Sequence, residues 1–166
     1  MDKFKADFSI DRENRTITIK REFAAPVPLV WDAYTKSELL DQWWGPKPWN
    51  ARTKSMDFRE GGRRLYSMLG PEGQEHWGFS DYTKIVPQER FVSTAGFSDA
   101  EGNVNTAIPP SQWDVSFAAK GEHTVVTSTI TYQNVETLET ILQMGFKEGY
   151  SQGMDQLDEL LPSLKK

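Results

Sequence analysis

The sequence predicts an α+β fold in which a curved antiparallel β-sheet wraps around a long C-terminal α-helix. From Val135 onward, apolar residues recur at intervals of three and four, which is typical of one helical face. Between residues 47 and 133, alternating segments separated by glycine and proline turn signals predict about six antiparallel strands. Such a sheet must bury one face, and the C-terminal helix is the only large apolar surface available to cover it. We expect residues 1–166 to form a single domain, because this length suffices to bury a core.

The N-terminal region predicts strands followed by two short helices. An alternating run around Phe8 and a turn at residues 11–15 precede a clear strand at residues 16–23. A first helix is expected from about residue 28 to residue 35, because proline is tolerated in the first turn of a helix. Ser37 is the expected N-cap of the second helix, which a Gly-Pro pair ends.

The last predicted strand has the clearest alternation. Val126, Ser128, Ile130 and Tyr132 share one face, and the other face consists mainly of threonines. This pattern is typical of an antiparallel strand that buries one face and exposes the other to solvent.

The predicted C-terminal helix carries Gly145, Gly149 and Gly153 on its apolar face, at a spacing of four. The sequence pattern predicts one uninterrupted helix through all three. Each glycine inside a helix costs roughly 1 kcal/mol relative to alanine. Two structural reasons for accepting that cost stay open: close packing of the helix on the sheet, or empty volume beside the helix in which a ligand binds.

Composition excludes several classes of function. The net charge of −5 and the sequence pI of about 5.1 argue against a nucleic-acid or anionic-membrane surface. The chain has no cysteine, which excludes disulfides and thiolate catalysis. No apolar run reaches the roughly 18 residues of a membrane span, and no signal peptide is evident. We therefore expect a cytoplasmic protein without membrane insertion, and no cofactor is indicated.

Several short motifs in register resemble the homologues of the ATPase activator of the 90-kDa heat-shock chaperone, in their C-terminal-domain type. The motifs lie at residues 23–26, 30–33, 43–46, 59–62 and 85–90 and are followed by the final helix. The resemblance extends from about residue 15 to residue 161. It implies a START-related, Bet v 1-like (SRPBCC) helix-grip fold, in which a cavity lies between the sheet and the final helix. That superfamily includes lipid carriers, hormone receptors and polyketide cyclases or dehydratases.

The candidates for acid–base chemistry are few. His76 lies beside an acidic residue at the start of a predicted strand, and imidazole titrates near neutrality. Tyr82 is the second candidate for an acid or base. His123 lies in a turn and is expected at the surface. No spacing of histidines and carboxylates is typical of a metal site.

A cavity between sheet and helix would be lined by large side chains from both. The expected lining residues are Arg64, Tyr66, Met68, Trp77, Phe97, Trp113, Phe117, Phe146, Tyr150 and Met154. Arg64 either binds the carboxylate or phosphate of an amphipathic ligand or forms a salt bridge with an acidic neighbour. Of Trp43 and Trp44, one is expected in the core at the end of the sheet, and the other at the mouth of a pocket or on a partner surface.

Three functions remain in consideration. The first is the binding of a small apolar or amphipathic ligand in the cavity. The second is a polyketide cyclase or dehydratase that uses the same cavity. The third, implied by the resemblance, is a chaperone-activating interaction module with a protein partner. No acid–base pair has a convincing spacing, so we expect binding rather than catalysis. The chain is expected to be a monomer or a homodimer.

Overall fold

A computed structural model, which describes residues 5–164, contains one eight-stranded antiparallel sheet and four helices. The strands are β1 Asp7–Asp11, β2 Thr16–Phe23, β3 Asn50–Met56, β4 Arg63–Leu69, β5 Glu75–Val86, β6 Arg90–Ser98, β7 Ser111–Lys120 and β8 His123–Thr131. The helices are α1 Val27–Thr35, α2 Ser37–Trp43, α3 Val135–Gln143 and α4 Phe146–Leu164. The strand order in the sheet is β1-β2-β8-β7-β6-β5-β4-β3. The predicted α+β class, with two short helices after the first strands, is confirmed.

The sheet buries one face against the helices because its strands alternate in the predicted way. Along β8 the burial of successive residues alternates without exception, and Val126, Ile130 and the following Tyr132 are at most 3 % exposed. Irregularities in strand pairing occur between Thr53 and Ser55 in β3 and between Tyr82 and Lys84 in β5. Such bulges bend a strand and increase its twist, which contributes to the curvature of the sheet.

Helix α4 lies in the core with an apolar stripe formed by Tyr150, Met154, Leu157 and Leu161. The buried Arg21 side chain of β2 reaches this helix through an ion pair, with 2.8 Å between its Nη1 and Oδ1 of Asp155. A second carboxylate of α4, that of Asp158, lies 3.8 Å from Nη2 of Arg21, so two acidic side chains of α4 compensate the buried charge on β2.

The C-terminal segment is not one uninterrupted helix, and that prediction is wrong. The chain breaks between α3 and α4 at Gly145, which has a φ of +87°. Glycine adopts this left-handed conformation at little cost, and it is the usual residue just after a helix end. The apolar spacing continues through the break because both helices turn apolar residues toward the same core.

The expected N-cap of α2 is also wrong. Ser37 is the first residue of α2, and Lys36 occupies the N-cap position without a side-chain hydrogen bond to the helix. Lys36 alone separates α1 from α2. In its extended conformation it is both the C-cap of α1 and the N-cap of α2. No extended position therefore remains for Ser37. Asn134, in contrast, caps α3 through a hydrogen bond that its side chain accepts from the Thr137 amide at 2.8 Å.

None of the helices in residues 5–164 combines the length and the hydropathy needed to cross a lipid bilayer.

Candidate functional site

A cavity of about 360 Å³ lies between the sheet and the helices. Its walls are formed by side chains of β4, β5, β6 and β7 on the sheet, and of α1, α2 and the α3–α4 segment on the other side. The lining extends from Tyr34, which is 4 % exposed, to Met144, which is 57 % exposed. The cavity thus reaches from the protein core to the molecular surface near the break between α3 and α4.

The three glycines of the C-terminal segment have different surroundings. A Cβ atom on Gly153 would lie 3.2 Å from the carbonyl oxygen of Trp43, so this glycine permits close packing of α4 on the end of α2. Gly145 and Gly149 line the cavity, and a Cβ atom there would meet nothing within 4 Å at Gly145 and only Pro46, at 3.6 Å, at Gly149. Close packing therefore accounts for Gly153, whereas Gly145 and Gly149 lie beside empty volume.

Aromatic rings form much of the cavity wall. Trp44 lies edge-on to Tyr150, with 5.5 Å between ring centroids, and Tyr150 stacks on Phe146 at the same distance. Trp113 lies edge-on to both Phe146 and Tyr150. Such edge-to-face contacts are favourable beyond the area they bury, so they hold the wall in one arrangement.

The Tyr66 ring reaches its position in the wall because of a glycine on the neighbouring strand. Gly78 is the cross-strand partner of Tyr66, and a Cβ atom at Gly78 would lie 2.9 Å from the Tyr66 ring. The Tyr66 hydroxyl accepts a hydrogen bond from Nε1 of Trp44 at 3.3 Å. This contact joins β4 to the end of α2 across the cavity wall.

Two tyrosine hydroxyls at the buried end of the cavity lie near each other but make no hydrogen bond of ordinary length and angle with the described residues. They belong to Tyr34 of α1 and Tyr150 of α4, and both are fully buried. Burial raises the pKa of Tyr34 well above its ordinary value, and the neighbouring Tyr150 phenol raises it further. Burial also raises the pKa of Tyr150, to about 12. Both phenols are therefore protonated at neutral pH and can donate hydrogen bonds.

Among the lining residues that the structure describes, Arg64 is the charged one, and it is 2 % exposed. Its Nε donates a hydrogen bond to Oγ1 of Thr53 at 3.2 Å, and its Nη2 lies 3.4 Å from Oδ1 of Asp41. The guanidinium carbon lies 4.1 Å from the centroid of the Tyr66 ring and 5.9 Å from that of Trp44. These distances allow cation–π contact with both rings.

The two acid–base candidates lie in different environments. Tyr82 lines the cavity, and burial raises its pKa to about 12, although the nearby Arg64 charge acts in the opposite direction. His76 is exposed and packs against Trp49, with 5.5 Å between ring centroids, outside the cavity lining. The structure therefore does not bring these two residues together.

Seven of the ten expected lining residues lie on the cavity: Arg64, Tyr66, Met68, Phe97, Trp113, Phe146 and Tyr150. The other three lie elsewhere. Trp77 pairs across the strands with Ser67, whereas His76 pairs with Met68, so alternation places Trp77 on the opposite face of the sheet. Phe117 belongs to the aromatic core around Trp31 and Tyr34. Met154, a residue of α4, is buried in the same core.

Sequence reasoning missed several residues of the lining. Alternation along β6 from the expected Phe97 indicates Ala95, Ser93 and Phe91, and all three line the cavity. No sequence pattern indicated that Tyr34 lines the cavity, because only the tertiary packing of α1 brings it there. Of the tryptophan pair, Trp43 is fully buried and donates from Nε1 to the carbonyl oxygen of Ala33, whereas Trp44 lines the cavity.

Within residues 5–164, no group of three or more His, Asp or Glu side chains is placed to hold a metal ion. The cavity instead offers one guanidinium, several hydroxyl groups and a large apolar surface. These groups can bind an organic molecule through burial and hydrogen bonds.

An antiparallel sheet that wraps around C-terminal helices and encloses a cavity defines a helix-grip protein. The family model described as Activator of Hsp90 ATPase homolog 1-like protein matches residues 24–162 of this chain. The chain belongs to this family, and the resemblance inferred from the short motifs is confirmed.

Solved structures share this fold over nearly the whole chain. A crystal structure of a protein from Mycobacterium smegmatis is 36% identical, with a TM-score of 0.87, over 93% of this chain and 95% of its own. A solution NMR structure of a protein from Arthrobacter aurescens is 27% identical, with a TM-score of 0.89, over 95% of this chain and 91% of its own. A crystal structure of a Nitrosomonas europaea protein is also 27% identical, with a TM-score of 0.80, over 92% of this chain and 97% of its own. No curated protein matches the chain.

Proposed function

We propose that this protein binds a small, largely apolar molecule in the cavity between the sheet and the C-terminal helices. One observation carries the proposal: the cavity of about 360 Å³ has aromatic walls and a single guanidinium, that of the buried Arg64, in its described lining. Its volume falls at the lower end of the range of about 300–1,000 Å³ that small-molecule sites occupy. Such sites typically combine apolar walls with a few polar groups that orient the ligand.

The presence of the cavity in the core supports binding. Protein interiors pack as densely as organic crystals and seldom contain voids larger than a water molecule. Here Gly145 and Gly149 border the void, although a larger residue at Gly149 would improve helix propensity and fill space. A chain that needed only a packed core would gain stability from such a residue.

The chemistry of the lining favours binding over catalysis. Among the lining residues that the structure describes there is no Asp, Glu, His or Lys. The phenol of Tyr82, whose pKa is about 12, stays protonated at neutral pH and is a poor general base. A cyclase or dehydratase mechanism would therefore lack an acid–base pair at this site.

A chaperone-activating module would need an exposed surface for its partner. The large hydrophobic residues exposed in the described part of the chain are Val104 and Met144. Two separate residues do not form the contiguous apolar patch that marks a protein interface. We therefore rank this function below ligand binding.

The proposal is tested by titration with N-phenylnaphthylamine, a neutral aromatic probe whose fluorescence increases in apolar surroundings. The wild-type protein is expected to bind it in a one-to-one complex. Gly149→Leu places a large side chain at the cavity wall and is expected to weaken binding at least tenfold. Glu148→Leu, the matched control, adds the same side chain at an exposed position of α4 and is expected to bind as the wild type does.

Circular dichroism would verify that both variants fold. This is expected because leucine is a better helix former than glycine and about as good as glutamate. Absence of probe binding to the wild-type protein would contradict the proposal. Equal binding by Gly149→Leu would also contradict it, since the probe would then bind elsewhere.

A further inference from the structure

We infer that the ligand of this cavity carries an anionic group, a carboxylate in the simplest case, that pairs with Arg64. The inference rests on the proposed function and specifies its ligand class: small aromatic acids. Four observations support it, namely the burial of Arg64, its unused hydrogen-bond donors, the other contacts of Asp41, and the size of the cavity.

Arg64 places a positive charge in a mostly apolar enclosure. The side chain lies in the cavity lining, is 2 % exposed, and packs against the rings of Tyr66 and Trp44. Removing a guanidinium from water carries a desolvation penalty of several kcal/mol unless charge pairing and hydrogen bonds compensate. The local structure therefore has to supply partners for Arg64, or a ligand has to.

The protein itself engages Arg64 only in part. A guanidinium has five N–H donors. Hydrogen bonds are made by Nε to Thr53 and by Nη2 to Asp41, while Nη1 makes none with any described residue. Nη1 is not among the fully buried atoms without partners, in contrast to Nε and Nη2 of Arg21, so it keeps some accessible surface, and Arg64 lines the cavity. A donor group is thus available at the cavity wall.

Asp41 is the acidic partner of Arg64, but the contact between them is long, while Thr53 holds the same carboxylate at shorter distances. The Thr53 amide donates to both carboxylate oxygens of Asp41, at 3.1 and 3.0 Å, and the Thr53 hydroxyl donates to Oδ1 at 2.6 Å. The contact of Arg64 with the same Oδ1, at 3.4 Å, is long compared with the roughly 2.7–2.9 Å of strong charged pairs. An entering anion would therefore find Arg64 only loosely paired.

The remaining lining determines the rest of the ligand. A volume of about 360 Å³ accommodates a fused-ring molecule and is too small for a lipid with two long acyl chains. Tyr150 makes edge-to-face contacts with Trp44 and Trp113, and these rings create a wall that favours an aromatic ligand. A planar carboxylate matches the fork of N–H groups on a guanidinium.

The test compares two ligands of nearly equal shape, 2-naphthoate and 2-naphthamide, as competitors of N-phenylnaphthylamine at neutral pH. The wild-type protein is expected to bind the carboxylate about tenfold or more tightly than the carboxamide, as a charge-assisted hydrogen bond provides. Arg64→Gln is expected to reduce this preference to about twofold or less. Arg63→Gln is the matched control, because Arg63 is the adjacent residue of β4 and pairs with Asp81 instead. It is expected to keep the full preference.

Arg64→Lys retains the positive charge and is expected to keep part of the preference for the carboxylate. It replaces Arg64→Gln in the test if that variant does not fold. If the wild-type protein shows no preference for the carboxylate, the inference is overturned, while binding of the neutral probe would still support the proposed function. A preference that survives Arg64→Gln also overturns it, because another group would then bind the anion. If neither the neutral probe nor the naphthalene ligands bind, both proposals fail.

Discussion

The hydroxyl of Tyr34 is buried and makes no hydrogen bond of ordinary length and angle, which predicts that a conservative substitution makes the ligand-free protein more stable. Leaving a buried hydroxyl without a partner costs about 1–3 kcal/mol, and Tyr34→Phe removes that cost. The substitution leaves an oxygen-sized void of roughly 15 Å³, which at about 24 cal/mol per Å³ costs about 0.4 kcal/mol. The free energy of unfolding of Tyr34→Phe should therefore exceed that of the wild type by about 0.6–2.6 kcal/mol.

Urea unfolding of the ligand-free proteins, followed by tryptophan fluorescence, measures this difference. Tyr132→Phe is the matched control: Tyr132 is as buried as Tyr34 and lines the cavity, but its hydroxyl is not sealed from it. The free energy of unfolding of this control should change by no more than about 0.5 kcal/mol. Destabilisation of Tyr34→Phe by 1 kcal/mol or more would refute the reasoning, because it would show that the hydroxyl has a partner in the free protein.

Three further outcomes concern the break between the helices, the cap of α3 and the alkaline limit of stability. Gly145→Ala should lower the free energy of unfolding by about 1–2 kcal/mol, because residue 145 has a positive φ. Gly149→Ala should raise it by about 0.5–1 kcal/mol, because alanine favours a helix more than glycine does. Equal effects of the two substitutions in urea unfolding would contradict the assigned conformations. Asn134→Ala should cost about 1 kcal/mol through the lost cap, and Ser37→Ala almost nothing; a larger loss for Ser37 would contradict the helix start described above. Burial raises the pKa of Tyr82 from about 10 to about 12, so the phenol of the unfolded state ionises first as pH rises. The free energy of unfolding should therefore fall between pH 10 and pH 12, by up to about 3 kcal/mol from this group. Urea unfolding that showed no decline across this range would contradict the burial of the phenol.

Local patterns predicted much of the architecture. Alternation and turn residues located the strands, and the strand expected at residues 16–23 coincides with β2. Arg64, Tyr66 and Met68 occupy every second position of β4, and all three were expected in the lining and line the cavity. A residue type and its parity along a strand are local properties, so the sequence alone reveals them.

The errors arose where tertiary structure decides. The apolar period runs through Gly145 without a change, because α3 and α4 contribute to one core, so periodicity could not show the break. Trp77 was assigned by its size, although its parity relative to Met68 places it on the opposite face of the sheet. The meeting of Tyr34 with Tyr150 depends on how α1 and α4 pack, which no spacing within the sequence expresses.

The central claim is that the cavity binds one small aromatic molecule. The most direct test is native mass spectrometry of the wild-type protein and of Gly149→Leu, each incubated with N-phenylnaphthylamine. The wild-type protein should show a one-to-one adduct, and Gly149→Leu should show little or none. An adduct absent from the wild-type protein, or equally abundant in both proteins, would contradict the claim.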